Sequence, residues 1–145
     1  MTNGKDKPVI VHIIGPIGPK IDDSARAAEI SGLAVLDGLC VVSLPLKNQL
    51  IFVDAHKGVV IGTTPLEAPR GLAFDANGCL LALSGKNLVR FSKITDPTKI
   101  PAPQTVVTAL SAPAAVTLDN QGNLYISDRG TSHQVKVFTA KGKFL

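Results

Sequence analysis

The sequence predicts an all-β chain of repeated four-stranded antiparallel sheets, and three observations predict it. The first is composition. Of 145 residues, 45% are hydrophobic and 18% charged, with 13 Gly and 10 Pro. Low charge and ample Val, Ile and Leu exclude a disordered chain. Frequent Gly and Pro between short apolar runs exclude a helical bundle. The second is a repeat. Pro69, Asp75 and Gly78 return as Pro113, Asp119 and Gly122, each 44 residues later. A weaker earlier copy holds Ser31-Gly32-Leu33-Ala34-Val35 and a turn at Asp37-Gly38 that is one residue shorter. The third is turn chemistry. Each copy closes its first hairpin on a Gly (38, 78, 122) that supplies the positive φ such a turn needs.

Each element follows in order. Residues 9–14 form an apolar run that reads as the fourth strand of a preceding or closing sheet. Residues 23–29 are the one helical candidate, with Asp22, Asp23 or Ser24 as N-cap. The first strands run over 71–74 and 116–118, the second over 80–83 and 124–127. Polar loops lead to third strands over 50–53, 88–91 and 135–138. Lys57-Gly58 and Lys141-Gly142 mark further turns, and 59–61 and 105–108 are fourth strands. Pro97, Pro101 and Pro103 keep 96–104 as a loop, because Pro is disfavoured inside a sheet.

Four short antiparallel strands about every 40–45 residues is the period of a β-propeller blade. The expected division is a leading strand and loop over 1–29, then blades over 30–66, 67–108 and 109–145, the last incomplete. Closed propellers have about four to eight blades. About three blades therefore make an incomplete propeller, not a closed ring within this chain.

At these residues the chain resembles the NHL-type β-propeller repeat. Pro113 to Asp128 carries the likeness best, ending in Leu124-Tyr125-Ile126-Ser127-Asp128, with Ala115 in place of the first Gly. Pro69 to Leu83 matches the first half, with Ser84 where the family often has Asp. Leu44 holds that position in the first copy, and Ile30 replaces the leading Pro. Gly15-Pro16-Ile17-Gly18, Asp22-Asp23 and Ala27-Ala28-Glu29-Ile30 look like the loop that enters a first NHL blade. Asp54-Ala55-His56-Lys57-Gly58-Val59-Val60 followed by Pro69 looks equally YVTN-like. Quinoprotein-like and gluconolactonase-type propellers share the same grammar.

In a propeller, the inter-blade loops and the loops joining second and third strands share the face that usually meets partners. That places Asn48, Glu67, Arg70, Ser84, Lys86, Asp128, Arg129 and His133 together. The candidate ligand-binding residues are Arg70, Lys86, Asp128, Arg129 and His133. Arg70 can clamp a carboxylate or phosphate bidentately, or pair with Glu67 or a neighbouring blade. Asp128 with Arg129 can hold a polar ligand or metal, or Asp128 can bond the backbone of its own loop.

No catalytic residue, metal or cofactor is expected. His12, His56 and His133 lack ligand spacing. Asp119-Asn120-Gln121-Gly122-Asn123 lacks the length and closing Glu of a calcium loop, and the repeat explains it as a hairpin turn. Cys40 and Cys79 form no CxxC pair, and each is expected in an apolar strand as a small hydrophobe.

The formal charge of +4 collects after Asp128, where Arg129, Lys136, Lys141 and Lys143 meet no acid. These either face an anionic partner or decorate a solvated strand. The absence of a Lys/Arg cluster disfavours nucleic acid. No signal-type start or membrane-length apolar run occurs, so a soluble chain without membrane insertion is expected, its compartment open. The function these residues favour is a non-catalytic binding or scaffolding segment that presents the loop face to a protein or small polar ligand. Self-association that closes the propeller is a further expectation. The alternatives are part of a lactonase- or lyase-type propeller enzyme using a divalent metal, and a nucleic-acid-binding NHL propeller.

Overall fold

The computed structural model describes residues 8–11, 29–131 and 133–145. The first antiparallel sheet is β1 (Gly32–Leu36), β2 (Leu39–Leu44), β3 (Gln49–Asp54) and β4 (Val59–Pro65). The second is β5 (Pro69–Phe74), β6 (Leu80–Ser84), β7 (Asn87–Phe91) and β8 (Gln104–Val107). The third is β9 (Pro113–Leu118), β10 (Leu124–Asp128) and β11 (Gln134–Phe138). Beyond β11 the chain turns back, Phe144 bridges Phe138, and the Leu145 N–H donates to the Val137 carbonyl at 2.9 Å. A fourth strand is thus begun in the third sheet. The architecture is all-β and propeller-type, with three blades in succession and no closed ring among the described residues.

The hairpin turns repeat in atomic detail. Asp75 Oδ1 accepts from the N–H groups of Asn77 and Cys79, and Asp119 Oδ1 accepts from those of Gln121 and Asn123. Gly78 and Gly122 sit at φ +79° and +81°. An aspartate at the first turn position and a glycine at the fourth satisfy the backbone and supply the left-handed residue.

The sheets stack face to face through period-2 alternation. In β6, Leu80 and Ala82 face the first sheet and join Val41, Leu50 and Phe52. Leu81 and Leu83 face the third sheet and join Val116, Leu124 and Ile126. Burial on both faces explains the unbroken apolar run of Leu80 to Leu83. Each fully buried leucine contributes about 1.5–3 kcal/mol. A third cluster of Val42, Leu44, Ile51 and Val53 lies on the far side of the first blade, with Val11 and Cys40 against it.

The innermost strands run close together. A Cβ on Gly32 would collide with the Arg70 carbonyl, and one on Gly71 would lie 2.7 Å from Ala115 Cα. These glycines let backbone approach backbone where the blades converge. Ser43, fully buried, donates its hydroxyl to the Arg70 carbonyl at 2.7 Å and stitches the first blade to the second.

Several expectations are corrected. Val9, Ile10 and Val11 join no sheet, and residues 12–14 lie outside the described residues. The helical candidate over 23–29 lies outside the described residues except for Glu29, which precedes β1 as coil. Cys79 sits in the turn before β6, not in a strand, because Asp75 captures its N–H. Gln104 opens β8, since pairing with Arg90 holds it in the sheet directly after Pro103. Among the described residues, no helix is long and apolar enough to cross a membrane.

Candidate functional site

The loops at one end of the blades form a continuous hydrogen-bonded surface, called the loop face below. Asn48, left-handed at φ +50°, ends the loop between β2 and β3. Its Oδ1 accepts from the Ala68 N–H at 2.8 Å, and its carbonyl accepts from the Leu66 N–H at 3.0 Å. The same inter-blade loop is held from the other side. Ser84 Oγ donates to the Glu67 carbonyl at 2.7 Å, and the Gly85 N–H donates to the Ala68 carbonyl at 3.3 Å. The next inter-blade loop is held likewise. The Leu110 N–H donates to the Lys86 carbonyl at 2.9 Å, and the Arg129 N–H donates to the Ala112 carbonyl at 3.0 Å. Loops fixed on both sides present their side chains in defined positions.

Asp128 is the buried charged group of this surface, 2% exposed. Its Oδ1 accepts from the Ala112 N–H at 2.6 Å, and its Oδ2 from the Ser111 N–H at 2.9 Å and Lys136 Nζ at 2.8 Å. Burial pushes this carboxyl up. The Lys136 ammonium and the two backbone N–H groups outweigh burial and hold it well below the usual carboxylate range. Lys136 lies opposite Ile126 in the β10–β11 register, so it is the diagonal neighbour of Asp128 on one face. In this geometry Asp128 fastens the inter-blade loop ahead of β9, not the loop that follows it.

The other four candidates are exposed. Arg70 is the second residue of β5, Lys86 lies in the β6–β7 loop, and Arg129 and His133 lie in the β10–β11 loop. His133 adopts φ +45°, its N–H donating to the Gly130 carbonyl at 3.3 Å. Arg70 makes no ion pair with Glu67, and among the described residues the ion pairs are Arg90–Asp75 and Lys136–Asp128. Lys86 and Arg129 flank the 110–112 segment through their own backbone bonds. Asp128 and Arg129, adjacent in sequence, divide the work. The acid turns inward to the loop backbone, and the arginine stays in solvent.

The opposite end of the blades holds a feature that the sequence reading passed over. A cavity of about 340 Å³ lies between the turns after β5 and β9, lined in part by Asp75, Cys79, Arg90, Gln121 and Lys141. Arg90 reaches across the blades, pairing with Asp75 at 3.4 Å and donating Nη2 to the Ala140 carbonyl at 2.9 Å. Its buried Nε has no hydrogen-bond partner. The available signal was a lone charge between Val89 and Phe91 in an apolar strand. Asp119, within the faintly calcium-like segment, has both carboxylate oxygens engaged. Asn123 Nδ2 and Tyr125 OH donate to Oδ2 at 3.0 and 3.1 Å, and two backbone N–H groups donate to Oδ1. These bonds, that of the Asn123 side chain foremost, hold its carboxyl below the ordinary value. Among the described residues, no group of three or more His, Cys, Asp or Glu side chains gathers as a metal site.

No family model and no curated protein matches this sequence. Solved structures do match it in shape. The PQQ-bound aldose sugar dehydrogenase of Streptomyces coelicolor aligns with TM-score 0.65 and 16% identity, over 94% of this chain and 48% of that one. The fold is propeller-like. A protein of unknown function from Bacteroides caccae aligns with TM-score 0.59 and 13% identity, over 81% of this chain and 44% of that one. The computationally designed Ika4 protein aligns with TM-score 0.54 and 15% identity, over 81% of this chain and 71% of that one. The chain thus spans about half the length of the two natural proteins. At these identities the likeness is one of fold.

Proposed function

We propose that this chain is an NHL-type propeller segment that works as a non-catalytic binding module through its loop face. One observation carries the reading. The loops of that face are braced from both neighbouring blades, with Lys86, Arg129 and His133 exposed on its loops and Arg70 exposed at the start of β5 beside them. A rigid scaffold that displays exposed polar side chains on fixed loops suits recognition. Asp128 serves this role indirectly, by holding the 110–112 segment that Lys86 and Arg129 flank. The repeat resemblance from Pro113 to Asp128 supports the NHL assignment.

The test is a selection of peptides from a displayed library on the wild-type chain. Selected peptides are then measured against a variant carrying Arg70→Ala, Lys86→Ala, Arg129→Ala and His133→Ala. Unchanged circular dichroism and melting temperature establish that the variant is folded. Loss of binding by the selected peptides supports the loop face as the binding surface. Full retention of binding by the folded variant overturns it. Hydrolysis of lactones and esters by the wild-type chain, abolished by chelator, would instead favour the propeller-enzyme reading.

A further inference from the structure

We infer that the segment Pro8–Val11 is a cap that stands where a preceding blade would stand, and that it keeps the outer face of the first blade from pairing with a second copy of this chain. Leu33 pairs with Val42 and Val42 with Ile51, while Val35 pairs with Cys40 and Cys40 with Val53. Cross-strand partners share a face, and residues two apart in a strand share it too. All six therefore lie on the face turned away from the second blade, which is met instead by Val41, Leu50 and Phe52. In the second and third blades, the matching face is covered by the blade before it. There the inner-strand residues Leu72 and Val116 are 7% and 8% exposed. Leu33, at the matching position of the first blade, is 62% exposed. The middle strands behave differently. Val42 and Val53 are each 2% exposed, nearly as buried as Ala82 and Ile126 in the blades that have a predecessor.

Val11 packs against the cluster of Val42, Leu44, Ile51 and Val53, and among the described residues it is the one that does so from outside the sheet. Val9 lies on the turn between β3 and β4, where a Cβ on Gly58 would collide with its side chain. Ile10, between them, is exposed. Two seated valines around an exposed isoleucine is the alternation of an extended segment laid flat on a sheet. The segment joins no sheet itself, so it covers the face without adding a strand. The cover is narrow and leaves Leu33 and Val35 of the inner strand bare. Lifting it opens a face that is apolar at all six positions. At the other end of the stack, the outward face of the third blade carries Thr117, Tyr125 and Ser127. An apolar surface laid there would cover hydroxyls, at a cost for each one left without a partner. The match for the uncovered face is therefore the same face of a second copy, and such a like-on-like contact closes as a dimer.

The test uses the full chain carrying Val9→Asp and Val11→Asp, which would bury charge if the cap stayed seated. Cys40 reports from the covered face, since it packs against the same cluster as Val11. Cys79, in the second blade, is the control. At low protein concentration Cys40 is expected to react with a thiol reagent at least about tenfold faster than in wild type, with the Cys79 rate and circular dichroism unchanged. Sedimentation is expected to show the variant dimerising at concentrations at least about tenfold below those that wild type needs. Adding Leu33→Lys is expected to reverse that gain, and adding Val135→Lys, on the outward face of the third blade, to leave it in place. Val11→Ala keeps the segment uncharged and is expected to speed Cys40 about threefold, which decides the matter where the double variant fails to fold. Equal Cys40 rates in wild type and the folded variants overturn the cap. A faster Cys40 with unchanged association overturns its blocking role. Reversal by Val135→Lys and not by Leu33→Lys overturns the like-on-like pairing in favour of head-to-tail stacking.

Discussion

Replacing Asp128 by Ala is expected to be among the most damaging single changes in the third blade. The carboxylate is buried and accepts three hydrogen bonds, two from the backbone of the loop ahead of β9 and one from Lys136. Removing one partner of a buried ion pair costs about 3–5 kcal/mol, because the donors left behind lose their acceptor. Two backbone N–H groups are left here, together with an ammonium whose side chain is 26% exposed. Water can reach that ammonium, which places the cost toward the lower part of the range. At roughly 3 °C per kcal/mol for a domain near this size, the expected fall in Tm is about 9–12 °C. Lys136→Met leaves both backbone donors in place but strips a buried carboxylate of its counter-charge, and is expected to cost about 2–3 kcal/mol. The effect of pH has a definite sign. The folded carboxyl is held below its unfolded value, so its stabilisation is present above about pH 4 and is lost as pH falls below that. Thermal melts at pH 7 and at pH 3 should therefore show the gap between wild type and Asp128→Ala narrowing in acid. A variant melting within 2 °C of wild type at pH 7, or a gap that widens in acid, would refute this account of Asp128.

Gly71→Ala should destabilise by about 1–3 kcal/mol in a denaturant titration, because its Cβ would meet the backbone of Ala114 and Ala115, which cannot rotate away. Gly78→Val and Gly122→Val should each cost at least about 1–2 kcal/mol, since a β-branched residue is forced to φ near +80°. Melting temperatures matching wild type in both would sink the hairpin assignment. Arg90→Met removes the guanidinium that pairs through Nε with Asp75 and donates Nη2 to the Ala140 carbonyl, and should cost about 1–3 kcal/mol in the same titration. A change below about 0.5 kcal/mol would mean that the contact of Arg90 to Ala140 does not help to hold the second and third blades together.

The blades were legible in the sequence because each hairpin is a local event. Asp75 and Gly78 set their own turn within five residues, and so do Asp119 and Gly122. Alternation in β6 was legible as a continuous apolar run for the same reason. The loop face was legible only in outline. Blade topology places Arg70, Lys86, Arg129 and His133 at one end, but the bracing that fixes them joins residues of different repeats. Asn48 binds Ala68 across 20 positions, and Asp128 binds Ser111 across 17. Nothing in residue type distinguishes an aspartate that turns inward from one that meets a ligand. The β10–β11 register decides it, by setting Lys136 diagonally across from Asp128. Arg90 escaped notice because a single charge in a strand ordinarily points to solvent. Here its neighbours on the third blade turn it into a bridge.

The same register explains why the three blades differ on the faces turned away from their predecessors. On the second blade that face carries Ala73, Leu81 and Leu83, which pack against the third. The residues 44 positions later are Thr117, Tyr125 and Ser127. Three hydroxyls thus stand where the preceding blade is apolar, and Ala115 adds a Cβ where Gly71 has none. Two of the hydroxyls are already engaged, Tyr125 to Asp119 and Ser127 to the N–H of Ala115. Burying a hydroxyl without a partner costs about 1–3 kcal/mol. A surface laid against the third blade must therefore offer hydrogen bonds and stand further off at the inner strand than the second and third blades stand from each other. Identical stacking is written into the first two blades by Gly32 and Gly71, and the third departs from it in both spacing and chemistry.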